Sequence, residues 1–135
     1  MNDSMESAAT GSKKILVVDD TSSVADLIRE MLLSFGHQAD VCGTVKEALV
    51  FYGASKYDLV ITDYTMPGTN GVDFSHQLRK QSPQQRIILI TGSSYTLTDK
   101  SDQPLPVNSI LQKPFSVEEF QHAVTTVFSP QRVSV

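Results

Sequence analysis

The run LVITDYTMPGTNG, from Leu59 to Gly71, holds the signal that decides the fold. Its first four residues, Leu59 to Thr62, are apolar or β-branched with no polar alternation, as in a short strand buried on both faces. Asp63 stands where that strand ends. Thr65 to Gly71 then carry Pro67, Gly68, Asn70 and Gly71, turn residues that predict a loop. From about Val72 to Lys80 the spacing predicts a helix, with Phe74 and Leu78 on its apolar side. Strand, loop and amphipathic helix form the repeating step of an α/β chain.

The same step recurs on either side. Upstream, Lys14 to Val18 (KILVV) is a second buried strand. Val24, Leu27, Ile28, Met31, Leu32 and Phe35 follow at helical spacing, with Thr21 or Ser22 as the N-cap and Gly36 as the C-cap. A weaker strand spans Gln38 to Cys42. Thr44 and Glu47 then have the spacing of a capping box that opens a helix through about Ala54. Downstream, Pro83 marks a turn before the strand Arg86 to Ile90, and Val107 to Leu111 predicts a fifth strand. Ser116 and Glu119 form another capping box before Phe120, Ala123, Val124 and Val127. Five strands alternating with helices, joined by right-handed crossovers, predict a doubly wound parallel sheet of the flavodoxin-like order 2-1-3-4-5, helices on both faces. The stretch from Ser93 to Ser109 breaks the rhythm. Pro104 and Pro106 forbid a regular helix through its second half, so the fourth helix is expected to be atypical or poorly ordered.

With 135 residues the chain suits one domain, expected over 13–129, between tails at 1–12 and 130–135. Its one cysteine, Cys42, excludes an internal disulfide and reads as a small core residue. Met1 to Ser12 has neither the basic start nor the apolar run of a signal peptide, and no stretch is apolar enough to span a membrane. A net charge of −4 without a basic cluster argues against direct nucleic-acid or anionic-membrane binding. A cytoplasmic protein is expected. His37, His76 and His122 lie away from strand ends and read as solvated surface.

The polar residues at strand ends carry the chemistry. Asp19 and Asp20 close the first strand, Asp63 the third and Thr91 the fourth, while Lys113 follows the fifth. In the order 2-1-3-4-5 these strands are neighbours, so all five side chains gather at the carboxyl edge, where open α/β sheets bind ligands. Singly, each has an ordinary reading: a solvated acid pair, a turn Asp, a capping Thr, a snorkelling Lys. Their coincidence at one edge favours a site. Three close carboxylates repel, and a hard cation such as Mg2+ relieves that repulsion. A carboxylate can attack phosphorus and hold the phosphoryl group as an acyl phosphate. Lys113 can then face the phosphate as a cation, and Thr91 can offer a hydroxyl.

The segments ILVVDD (Ile15 to Asp20), DLVITDYTMPGTNG (Asp58 to Gly71), IILITG (Ile87 to Gly92) and ILQKPF (Ile110 to Phe115) resemble the receiver domains of bacterial response regulators. The resemblance covers about Lys13 to Phe128. It implies that Asp63 is the phosphoacceptor, that Asp19, Asp20 and Asp63 hold Mg2+ with the Thr65 backbone carbonyl, and that Thr91 and Lys113 hold phosphoryl oxygens. It further implies a cis Lys113–Pro114 bond and no enzyme activity beyond self-phosphorylation and slow dephosphorylation. The implied partners are a histidine kinase or histidine phosphotransfer protein and a downstream protein target. A phosphorylation-dependent dimer is left open. The run after KPF, SVEEFQHAV, is similar to receivers at the C-terminus of hybrid kinases.

The chain departs from the family where an aromatic residue usually precedes the Lys by three positions; here it has Ile110. Three other readings compete. A haloacid-dehalogenase-type phosphatase would need a D-x-D-x-T run after the first strand, where this chain has Asp19-Asp20-Thr21. A flavin module would place its phosphate beside Thr21, Ser22 and Ser23, where the acid pair would repel it. A receiver-fold interaction module working without phosphate would not need all five site residues.

Overall fold

The computed structural model describes residues 11–92 and 105–129. Five parallel strands, β1 (Lys14–Val18), β2 (Gln38–Cys42), β3 (Leu59–Asp63), β6 (Arg86–Thr91) and β7 (Ser109–Gln112), form one sheet in the order β2-β1-β3-β6-β7. Between β3 and β6 lies a small antiparallel pair, β4 (Thr65–Met66) and β5 (Thr69–Asn70). The helices among the described residues are α1 (Ser22–Ser34), α2 (Val45–Ala54), α3 (Gly71–Gln81) and α4 (Val117–Phe128). The predicted strand order is the observed one. The expected atypical fourth helix falls in the segment 93–109, of which residues 93–104 lie outside the described residues.

Strand alternation splits the core into two layers. Ile15, Val17, Leu59, Ile61, Ile88 and Ile90 point to one face, where α1 and α4 cover them with Ala25, Ile28, Leu32, Phe120 and Val124. Leu16, Val18, Val60 and Ile87 point to the other, against Ala48 of α2 and Phe74 and Leu78 of α3. Side chains alternate along a strand, so a sheet covered on both faces needs apolar residues at every position. That requirement explains why KILVV, LVIT and RIILI read as continuous apolar runs.

The helix ends follow local chemistry. Thr44 accepts from the Glu47 N–H at 3.1 Å, but the Glu47 carboxylate reaches the Gly43 N–H at 3.0 Å rather than the cap residue itself. Ser116 and Glu119 complete a reciprocal capping box. Thr21 occupies the N-cap position of α1 without a side-chain cap bond. Asn70 caps α3 by accepting from Asp73 N at 2.9 Å. Gly36 follows the last turn of α1 with φ of 92°, the left-handed conformation expected there.

Three expectations need correction. Thr65 to Gly71 is more ordered than a plain loop, because β4 and β5 pair within it and Gly71 already begins α3. The last strand starts at Ser109 rather than Val107, and Ile110 on it is 45% exposed, so it is a half-buried edge strand. His37 is half-buried and structural: its Nδ1 accepts from the Lys13 N–H at 3.1 Å, and its ring lies 6.1 Å from that of Phe128. His76 and His122 are exposed, as expected. Cys42 is buried in the core, and burial, chiefly, pushes its thiol up to about 12. No helix among the described residues is long and apolar enough to cross a membrane.

Candidate functional site

Four adjacent parallel strands end at one edge of the sheet, and each delivers a polar side chain there. Asp19 and Asp20 follow β1, Asp63 ends β3, Thr91 ends β6, and Lys113 follows β7. The carboxylates of Asp19, Asp20 and Asp63 offer ligand atoms that all lie within 4.8 Å of one another. Lys113 Nζ stands 3.5 Å from Asp63 Oδ1 and 3.6 Å from Asp19 Oδ2. Thr91 is buried beside them, and its carbonyl accepts from the Lys113 N–H at 2.7 Å. The Lys113–Pro114 bond is cis. Thr65, two residues beyond Asp63, opens β4 with its side chain exposed.

Burial and charge are in tension at this edge. Asp19 is 2% exposed; its Oδ1 accepts from the Thr21 N–H at 2.9 Å, whereas its Oδ2 is buried with no hydrogen-bond partner. An unpartnered buried carboxylate oxygen is costly unless a cation faces it. Lys113, at 3.6 Å, is near but beyond close hydrogen-bond range. Burial, and then the Asp19 carboxylate, push the Asp63 carboxyl above its ordinary value, and the opposing pull of Lys113 does not cancel them. The donor set therefore fits a hard divalent ion: oxygen ligands only, more negative charge than one lysine balances, and an orphaned oxygen within the cluster.

The backbone around Asp63 is tightly held. Tyr64 N–H donates to Ile90 O at 2.7 Å, and Gly71 N–H returns to Tyr64 O at 2.8 Å, closing the β4–β5 loop beneath the acid. A Cβ on Gly71 would meet the Asp63 carbonyl and come within 2.7 Å of Leu89 Cδ1. Gly71 reads from sequence as a turn residue, but its place is set by this close approach. Only its position eight residues after Asp63, at a helix start, hints at the constraint.

All five residues singled out in the sequence thus lie at one edge, with Asp19, Asp20, Asp63 and Lys113 brought together by their side chains. The family described as response regulator receiver domain matches residues 15–125. The DNA-binding transcriptional regulator NtrC of Azospirillum brasilense is 30% identical over 118 residues, covering 87% of this chain and 24% of that protein. The chain spans from about a quarter to about half the length of such curated relatives. Among solved structures, the response regulator TrrA of Thermotoga maritima in complex with Mg2+-BeF is 33% identical, with a TM-score of 0.78, covering 86% of this chain and 99% of that one. TrrA in complex with the histidine kinase ThkA also matches, at 33% identity and a TM-score of 0.77, covering 87% and 99%. The chain belongs to the response regulator receiver family. It is a phosphoacceptor receiver domain of two-component signal transduction.

Proposed function

We propose that Asp63 is the residue that takes the phosphoryl group, from a histidine kinase or a histidine phosphotransfer protein. The observation that carries this reading is the convergence of three carboxylates within 4.8 Å, with Lys113 3.5 Å from the acid that ends β3. An Asp63 carboxylate oxygen forms the new bond to phosphorus while the bond from phosphorus to the imidazole nitrogen breaks. The electron pair stays on that nitrogen. Asp19, Asp20, Asp63 and the Thr65 carbonyl would hold Mg2+, which when bound neutralises the carboxylates and phosphate oxygens enough for a dianion to approach. Lys113 balances one phosphoryl oxygen, and Thr91 donates its hydroxyl to another.

Kinase recognition is supported by the likeness to TrrA, which was solved with its kinase. The transcriptional regulators among the relatives support a downstream protein target. A phosphorylation-dependent dimer fits the same reading. So do a folded unit over 13–129 with tails at 1–12 and 130–135, and a cytoplasmic location. The domain turns over no substrate of its own beyond taking up and slowly losing phosphate. Acetyl phosphate with Mg2+ should add one phosphoryl group by intact mass, and Asp63→Asn should add none. Labelling of Asp63→Asn at the wild-type rate would overturn the assignment.

A further inference from the structure

Lys113 reaches Asp63 and Asp19 because β7 ends where it does, and β7 has little of its own to hold it there. It is a four-residue strand at the edge of the sheet order. Its apolar face is thin, since Leu111 is half-buried and Ile110 largely exposed. Register is strongly specified where a strand buries one full face and weakly specified otherwise; a one-residue slip turns every side chain to the opposite face. Such a slip along β6 would carry Lys113 away from both carboxylates.

Polar contacts meet β7 at both ends; the backbone ones would form in any register, so the side-chain contact at the far end is the one that reads it. At the site, the Lys113 N–H donates to Thr91 O at 2.7 Å. At the far end, Ile88 pairs with Ser109, which puts Asn108 beside Ile87. There the Asn108 N–H donates to Ile87 O at 2.8 Å. Asn108 Oδ1 accepts from the Ile87 N–H at 2.8 Å and from Arg79 Nη2 at 2.8 Å. Arg79 Nε also donates to Gln85 O at 2.9 Å. One amide oxygen therefore ties the end of α3, the start of β6 and the start of β7. Ile87 is buried and its bond to Asn108 is partly shielded, so without that oxygen its N–H loses its acceptor within the protein. A slip by one residue would bring Val107 or Ser109 to this place, and neither side chain carries a carbonyl oxygen.

We infer that Asn108 is a positioning residue for phosphoryl transfer: its amide oxygen fixes the register of β7 and, through it, the reach of Lys113 to Asp63. The inference rests on the Asp63 phosphorylation reading, and its test separates the two. The full chain would be compared as wild type, Asn108→Ala, Asn108→Asp and Arg79→Gln. Each would be assayed for labelling rate by acetyl phosphate at saturating Mg2+, for Mg2+ affinity by calorimetry, and for amide exchange at Lys113. Asn108→Ala should slow labelling on the order of tenfold or more, as small misplacements of reacting groups do. Its Mg2+ affinity should not fall, because the metal ligands sit on other strands and moving Lys113 away removes a cation from beside Asp19 and Asp63. Asn108→Asp keeps the acceptor oxygen and should restore the rate. Arg79→Gln, which leaves the Ile87 bond intact, should fall between. Wild-type labelling by a folded Asn108→Ala, failure of Asn108→Asp to rescue it, or Mg2+ affinity falling in step with the rate would each overturn the inference. Should Asn108→Ala not fold, Arg79→Gln with a wild-type rate and wild-type Lys113 protection overturns it. If the wild type itself takes no phosphate, the phosphorylation reading fails, and loss of Lys113 amide protection in Asn108→Ala still decides the register.

Discussion

At the amino edge of the sheet the polar groups answer one another. Tyr57 donates to Asp40 at 2.6 Å, Tyr52 donates to Gln85 at 2.6 Å, and Asp58 accepts from the Lys14 N–H at 2.8 Å. At the carboxyl edge three acids crowd together, one buried oxygen has no hydrogen bond, and the Asp63 carboxyl is held above its ordinary value. The strands and the packing are the same at both ends; the polar bookkeeping is not. The difference teaches which end is satisfied within the chain and which end concentrates uncompensated charge. A buried polar group that is satisfied stabilises modestly, whereas one left unsatisfied costs free energy until something binds.

The comparison can be sharpened or broken in four ways. The largest effect should come from Gly71→Ala, where a methyl would press on the Asp63 carbonyl and Leu89. Overpacking at a backbone contact should cost up to about 3 kcal/mol, read from urea unfolding. Because no charge changes, that loss would show that the carboxyl edge is well packed and that its tension is electrostatic. A neutral result would mean that α3 shifts freely away from Asp63.

At the amino edge, Tyr57→Phe removes a partly buried hydroxyl that donates to a carboxylate and should destabilise by about 2 kcal/mol. At the carboxyl edge, Asp63→Asn should do the reverse and stabilise the metal-free protein by about 1 kcal/mol, raising its melting temperature, because it removes one of three crowded charges. Mg2+ should then stabilise the wild type more than Asp63→Asn or Asp20→Asn, since it binds the native state only. Calorimetric scans with and without Mg2+ check all of this. A fall in stability for both Tyr57→Phe and metal-free Asp63→Asn would erase the contrast between the edges.

The smallest effect concerns His37. Burial, then Lys13, lower its pKa from 6.5, with Asp58 opposing. The unfolded chain therefore binds a proton that the folded chain resists. The stability from this group is full above pH 6.5 and is lost as pH falls through the lower folded-state value. The geometry agrees, because a protonated Nδ1 could no longer accept from the Lys13 N–H. Lys13 and Arg86 also stack on Phe128 beside this ring, so a further positive charge is unwelcome there. The expected loss is below about 1 kcal/mol, since the ring is partly solvated. Unfolding curves at pH 8 and pH 5 should show it in the wild type but not in His37→Gln. Equal pH dependence in the two proteins would leave His37 a packing residue only.

Much of this molecule is legible in its amino-acid order. Unbroken apolar runs such as LVIT announce strands covered on both faces, and acids at the ends of alternate elements announce an edge site. Both signals are local and periodic, and the crossover rule turns them into a strand order. What the order could not show depends on neighbours distant along the chain. The start of β7 was misplaced because an edge strand has half its pattern exposed and is positioned by Asn108 meeting Ile87 and Arg79. Gly71 looked like any turn glycine until α3 packed against the Asp63 carbonyl. His37 reads as solvated until the residue before β1 supplies the Lys13 N–H and α4 supplies Phe128. Sequence alone determined the alternation of elements and which polar residues stand where the strands end, because burial periodicity and chemical type are written residue by residue. Only the tertiary structure decided register, close approach and the imbalance of charge at the carboxyl edge, because each is a distance between groups that the chain itself keeps far apart.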